Sequence, residues 1–320
     1  MTILANTFTT FDAKGIREDL SDAIYNISPK DTPFMSNIKK GQSTQTFFEW
    51  QTDVLATPDT TNAQLDGDDV SSFDVSSPTT RVGNYTQISR KTVILSGTLE
   101  AVDKAGRKSE LAYQLAKRAA ELKRDQEAIL LANQAATAGT PVAARKTGAL
   151  LAWLATNTVK GSGGVDPVYQ NIPTSTRTDG TQVSFSEAMV KSAMLSAYTQ
   201  GGKPEMLLTG AFNKQVASTF PGVATKTFYQ SAVEETAIIG AADVYVSDFG
   251  TISIVPDRFQ RARDAFLIDP EFAAVVFLRP YMTEPLAKTG DAEKRMLIVE
   301  WGLKVHNEKA HAGIYDLTTS

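Results

Sequence analysis

The sequence predicts an α+β fold, and three observations carry the prediction. One long amphipathic helix spans residues 109–134, the last third is rich in strands, and residues 1–43 and 44–97 hold too few apolar side chains to build cores of their own. The 320 residues suit one large domain or about two ordinary ones. With 42% hydrophobic and 21% charged residues, the chain can fold without covalent staples, and its 0 cysteines exclude disulfides, thiolate nucleophiles and cysteine-held metals.

The formal net charge of −4 argues against a dedicated nucleic-acid binder, whose affinity comes mainly from neutralising phosphates. The opening MTILANTFTTFDAKG has no basic flank leading into an apolar core, and no later stretch reaches the roughly 18 apolar residues that span a bilayer. The expectation is a soluble, unexported chain, in which the triplets at Asn26 and Asn84 match a glycan acceptor pattern by chance.

Residues 1–43 scatter Phe8, Phe11, Ile24, Tyr25, Pro33 and Phe34 among polar residues. Ile16 to Ile24 has room for one or two helical turns, but Asn26, Ser28, Pro29 and Pro33 break up the stretch after it. Such a segment reads as an arm lying on another surface, its own or a neighbour's. Residues 44–52, TQTFFEWQT, alternate as a strand, and Tyr85 to Ser96 is expected to be its partner. Between them Asp59, Asp66, Asp68, Asp69 and Asp74 precede the next basic residue, Arg81, which favours a projecting, solvated loop. A two-stranded ribbon is marginal alone. Phe47, Phe48 and Trp50 therefore need a cover, either a partner or the body beneath an ordinary peripheral hairpin.

In the helix over 109–134, Leu111, Leu115, Ala119, Leu122 and Ile129 form one stripe along a rod of about 39 Å. Lys117 with Glu121 and Lys123 with Glu127 are expected as i,i+4 pairs on a solvated or interface-facing side. A short apolar run covers Leu150 to Leu154. Ser184 and Glu187 form a capping-box pattern before a helix with Met189, Ala193, Met194, Ala197 and Tyr198 on one face, stopped by Gly201 and Gly202. Glu205 to Leu208 reads as a buried strand and Ala211 to Thr219 as a short helix. Further strands are expected at Val244–Ser247, Thr251–Val255, Phe266–Ile268, Ala274–Leu278 and Met296–Val305, the last with Leu297, Val299, Trp301, Leu303 and Val305 on one parity.

No nucleophile elbow, zinc helix, dinucleotide loop or phosphate loop is present. The two histidines, His306 and His311, would face opposite ways on a continued strand, which argues against a shared metal. Asp66-Gly67-Asp68-Asp69 has oxygen ligands at close spacing but lacks the full calcium-loop pattern, and reads as an exposed acidic loop.

Five strings together resemble the major capsid protein family of tailed bacteriophages, the branch with the Hong Kong 97-type shell fold. They are GIREDLSDAIYNISPKDTPFMSNI at 15–38, FFEWQTDVL at 47–55, NYTQISRKTVILSGT at 84–98, GRKSELAYQLAKRAAELKRDQEAILLAN at 106–133 and LAKTGDAEKRMLIVEWGLKVHNEKAHAGI at 286–314. The resemblance implies a Hong Kong 97-like phage capsid fold: an N-terminal arm over 1–43, an extended loop over 44–97, and a peripheral domain over 98–179 holding a spine helix at 109–134. An axial domain over 180–265 and the peripheral domain's return strands over 266–320 complete it.

The function implied is a non-enzymatic, cofactor-free shell subunit that assembles with itself as pentamers and hexamers into a virion capsid. The shell would enclose double-stranded DNA without sequence-specific binding or contact with a membrane. A portal protein, a separate scaffolding protein and possible decoration proteins are the implied partners. Tyr25, Phe34, Phe47, Phe48 and Trp50 are the interface candidates, and Trp50→Ala is expected to weaken assembly more than it disturbs the subunit. No lysine–asparagine pair is identifiable for the isopeptide cross-link that some members of the fold carry. The alternatives are a nanocompartment shell of the same fold around protein cargo and, more remotely, a carboxylate-dependent hydrolase.

Overall fold

A computed structural model describes residues 31–64, 66–67, 69, 73–102, 109–168, 171–220 and 244–320. Tyr25 and the other apolar anchors of 1–30 lie outside these residues, as does 221–243 of the expected axial segment.

The chain enters through α1 (Pro33–Asn37) and β1 (Lys39–Gln42), then makes the ribbon strands β2 (Phe47–Thr52) and β3 (Thr80–Tyr85). β4 (Gln87–Ser96) leads through the short α2 (Gly97–Ala101) to the long helix α3 (Glu110–Leu130), and α4 (Leu150–Trp153) and β5 (Thr158–Val159) come next. After α5 (Glu187–Thr199), β6 (Met206–Thr209) and α6 (Ala211–Ala217), the strands β7 (Val244–Ser247), β8 (Gly250–Pro256) and β9 (Ala265–Ile268) lead to β10 (Ala273–Pro285), β11 (Ala292–Val305) and β12 (Ala312–Ile314).

Two sheets and the ribbon hold these strands together. One sheet has the order β1-β10-β11-β4 and the other β5-β12-β9-β6-β8-β7, while among the described residues β2 pairs with β3 alone. The main core lies between the sheets. Val299, Trp301 and Leu303 of β11 meet Phe266 and Ile268 of β9 and Met206 and Leu208 of β6, with Leu122 and Leu130 of α3 and Trp153 of α4 closing the space. A second core beneath α5 takes the opposite parity, Leu207 of β6 with Ala265 and Leu267 of β9. The centre of the six-stranded sheet is thus covered on both faces, and for that reason MLLT and AFLI are continuous apolar runs without alternation.

Several expectations are corrected. The partner of β2 is Thr80–Tyr85, in the register Phe47↔Tyr85 to Thr52↔Thr80. The expected partner strand, Tyr85 to Ser96, instead divides: Tyr85 ends β3, and Gln87–Ser96 runs antiparallel to β11 as β4, with Val93 buried. The strands expected at 274–278 and 296–305 extend to 13 and 14 residues. Sheet membership also crosses the expected boundaries at 180 and 265: β5, β9 and β12 all join the six-stranded sheet.

The long helix has 21 residues, about 32 Å, and its N-cap is Ser109, whose Oγ accepts from Ala112 N at 3.2 Å. It stops before residue 134 because Asn133 pairs with residue 177 like a strand, donating to Arg177 O at 2.7 Å and accepting from Arg177 N at 3.0 Å. Neither expected i,i+4 ion pair forms. Glu121 pairs with Arg118 at 2.6 Å, while Glu127 is fully buried and accepts from backbone amides of α1. Leu111 and Leu115 are only half-buried, so the stripe meets the core through its C-terminal half. At α5 the N-cap is Ser186, without a side-chain bond; Glu187 takes the Tyr245 hydroxyl at 2.9 Å and Lys191 at 2.9 Å instead of completing a box with Ser184.

Candidate assembly surfaces

The ribbon leaves the body at a well-anchored root. Phe48 packs against β11 where Gly302 leaves room; a Cβ there would lie 2.7 Å from the ring. Gly83 gives the same space to Phe47, whose ring would be 2.6 Å from an added Cβ. Trp50 stacks on Phe48 at 5.9 Å and tilts against Trp153 at 5.4 Å, and its Nε1 donates to His306 O at 3.1 Å. Lys304 Nζ stands 5.5 Å from the indole centroid.

This geometry revises the interface candidates. Phe34 is 0% exposed within its own chain and has no surface left for a neighbour, because α1 drives it into the main core. Trp50, Phe47 and Phe48 are half-buried, with much of their apolar area already spent on the subunit's own body. The structure does not bring the four described candidates together as one free patch.

Sequence reasoning missed the more exposed residues. The connection from β2 to β3 carries Leu55 at 94% exposure, Val75 at 93%, Phe73 at 87% and Val54 at 69%, interspersed with Asp53, Asp59, Asp66, Asp69 and Asp74. The available signal was four large apolar side chains in a segment with no period to share. A second apolar surface lies on the outward face of the four-stranded sheet, where β4 exposes Ile88 and Ile94 at 47% and 64% on either side of Arg90. Lys294 lies opposite Ile94, and Val142 stands 97% exposed on the neighbouring 138–145 loop. Beside this patch Glu300, 4% exposed, collects Arg145 at 2.5 Å, Arg279 at 2.9 Å and Thr86 Oγ1 at 2.9 Å, a buried carboxylate whose partners hold three chain segments in register. One surface is acidic and apolar, the other basic and apolar.

Among the described residues no three His, Asp or Glu side chains stand as a metal-holding group. His311 is wholly buried and takes Asp269 N on Nδ1 at 3.2 Å, so burial pushes its pKa down to about 4 and leaves it neutral. No described helix is long and apolar enough to cross a membrane.

The fold is that of shell-forming capsid proteins of the Hong Kong 97 type. It is similar to a chain of the cyanophage A-1(L) capsid asymmetric unit, with a TM-score of 0.65 at 14% identity over 98% of this chain and 99% of that one. It is also similar to an encapsulin complex from Synechococcus elongatus, with a TM-score of 0.57 at 8% identity over 95% of this chain and 94% of that one. At these identities the likeness is one of fold. In sequence, residues 3–318 match the SU10 major capsid protein family, and the chain is 31% identical over 344 aligned residues to the major capsid protein of Escherichia phage Phieco32, covering 96% of each. The chain belongs to the SU10 major capsid protein family: it is a subunit of the self-assembling icosahedral head shell of a tailed double-stranded DNA phage.

Proposed function

We propose that shell closure by this subunit depends on the 53–79 loop lying across the outward face of a neighbouring copy's four-stranded sheet. The observation that carries this reading is the 87–94% exposure of Leu55, Phe73 and Val75 on a loop whose root is bonded to its own body. A lone globular chain gains nothing by holding such side chains in water, and a phenylalanine alone offers about 150 Å² or more, worth several kcal/mol at about 25 cal/mol per Å² before ordering costs. The aspartates of the loop complement Arg90 and Lys294 on the sheet.

In this reading α3 is the spine helix, the four-stranded sheet belongs to the peripheral domain, and the six-stranded sheet contains the axial part that gathers into pentamers and hexamers. Portal, scaffolding and decoration proteins are the partners such a head employs, and Tyr25 of the arm together with the remaining surface of Phe47, Phe48 and Trp50 adds to contacts between copies. A phage head is favoured over a protein-filled compartment because the family matched over residues 3–318 and the 31% identical relative are both major capsid proteins, the latter of a phage.

The test is the triple change Leu55→Ser, Phe73→Ser, Val75→Ser. The variant should keep the thermal unfolding midpoint of the free subunit to within a few degrees and lose closed particles in sedimentation; particles formed at the wild-type concentration would reject the loop's role.

A further inference from the structure

Glu127 and Asp257 are 0% and 2% exposed and come from separate parts of the chain, α3 and the turn after β8. Glu127 Oε1 accepts from Phe34 N at 2.6 Å and Oε2 from Met35 N at 2.9 Å, which fastens α1 to α3. Asp257 Oδ1 accepts from Phe259 N at 2.7 Å, its Oδ2 is buried without a hydrogen-bond donor, and the Glu127 carboxyl lies within hydrogen-bonding reach of it. Two ionised carboxylates here would face each other as acceptors with little water to screen them; a single shared proton turns the clash into a charge-assisted hydrogen bond and gives the Asp257 oxygen its missing donor.

We propose that Glu127 and Asp257 form a one-proton latch that fastens α1 and the long helix to the turn after β8, firmest in acid and progressively looser as the pH rises through neutrality. Burial, then the Asp257 charge, pushes Glu127 up to about 8, and burial raises Asp257 too. The surrounding charges do not cancel this. α1 brings no charged group, and Asp31 before it is exposed. On α3, Lys123 is exposed and the Arg124 guanidinium lies 5.4 Å from the Phe259 ring centroid. In the turn, Arg258 is exposed and Arg261 is engaged with Asp179 at 2.5 Å and Asp264 at 3.3 Å. Among the described residues no ion pair joins any of these cations to either carboxyl.

The docked state holds a proton that a freely solvated glutamate has lost above about pH 4.5. Docking therefore weakens as pH rises from there to about 8 and then levels off, the reverse of an ion-paired carboxylate. Because α1 continues directly into β1 on the edge of the four-stranded sheet, the latch bears on how α1 and α3 are held beside that sheet. It gives the shell subunit a proton-dependent contact beside its main core, to which Phe34 and Met35 of α1 and Leu122 and Leu130 of α3 belong.

Hydrogen exchange of the peptide 31–38 in the full chain, corrected for intrinsic rates, reads the latch between pH 5.5 and 9. Wild-type protection should fall by up to about tenfold per pH unit to near pH 8 and then stay level, while Glu127→Gln, which keeps an acceptor and a donor but cannot ionise, should give a flat profile. A flat wild-type profile, or an unchanged slope in Glu127→Gln, overturns the proposal. If that variant does not fold, Asp257→Asn should move the alkaline end of the slope to lower pH, and an end unmoved from the wild type's counts against the latch. The measurement is made on dissociated subunits and scored apart from particle formation, so failure of the latch and failure of the loop reading are separable.

Discussion

Asn84 shows what a residue can do that its sequence context conceals. It lies in a triplet that matches a glycan acceptor, yet it is fully buried: its Nδ2 donates to Leu303 O at 2.7 Å and Gly148 O at 3.1 Å, and its Oδ1 accepts from Gly148 N at 2.8 Å. Arg177 and Asp316 are similar, both 0% exposed in their side chains and joined at 2.5 Å. Burial alone would raise the Asp316 pKa, but Arg177 and the amides of Gly180 and Gly161 hold the carboxyl below its ordinary range. Such residues are invisible in sequence because each bonds to a segment far away along the chain. His311 supplies a pH test. Its folded pKa of about 4 lies below the ordinary imidazole value, so the unfolded chain binds the extra proton between about pH 6.5 and 4, and stability falls as pH drops through that window. The test is a difference: the thermal unfolding midpoint of His311→Asn, which keeps an acceptor for Asp269 N, should rise relative to the wild type as pH falls from about 6.5 to 4, and a difference that does not change with pH would remove His311 as a source.

At the scale of elements, legibility followed burial pattern. The parity of Leu297 to Val305 was readable because one face of β11 is packed in the core, and α5, β6 and α6 were readable from their glycine and proline stops and apolar runs. β1 and β12 were not readable, since KKGQ and AGI have no strand signal of their own and are strands only by adding to β10 and β9. The ribbon was found with the wrong partner, because Thr80–Tyr85 and Gln87–Ser96 are adjacent in sequence and only three-dimensional packing sends one to β2 and the other to β11. Its aromatic root changes the prediction for Trp50. With its ring against Trp153 and its Nε1 on His306 O, Trp50→Ala should destabilise the isolated subunit by about 2 kcal/mol or more, measurable by urea denaturation of unassembled chain. A free-subunit stability equal to wild type alongside failed assembly would return Trp50 to the role of a contact between copies.

On the scale of the whole molecule, the two cores and the ribbon root bury most of the large apolar side chains within the subunit, while Leu55, Phe73 and Val75 of the ribbon and Ile88 and Ile94 of the four-stranded sheet stay exposed. The general role of the chain was legible because long strings over most of its length resemble one family. Which residues are spare was not, because exposure is decided by what the rest of the fold covers: Phe34, an interface candidate, and Glu127, expected on a solvated or interface-facing side, are buried, and Leu55, Phe73 and Val75 stand in water. The most direct measurement is cryo-electron microscopy of particles formed by the full chain. Closed shells are predicted, in which density for 53–79 of each copy crosses the Ile88, Arg90 and Ile94 face of its neighbour. Closed shells in which that loop folds back on its own subunit, or touches no other copy, would contradict it.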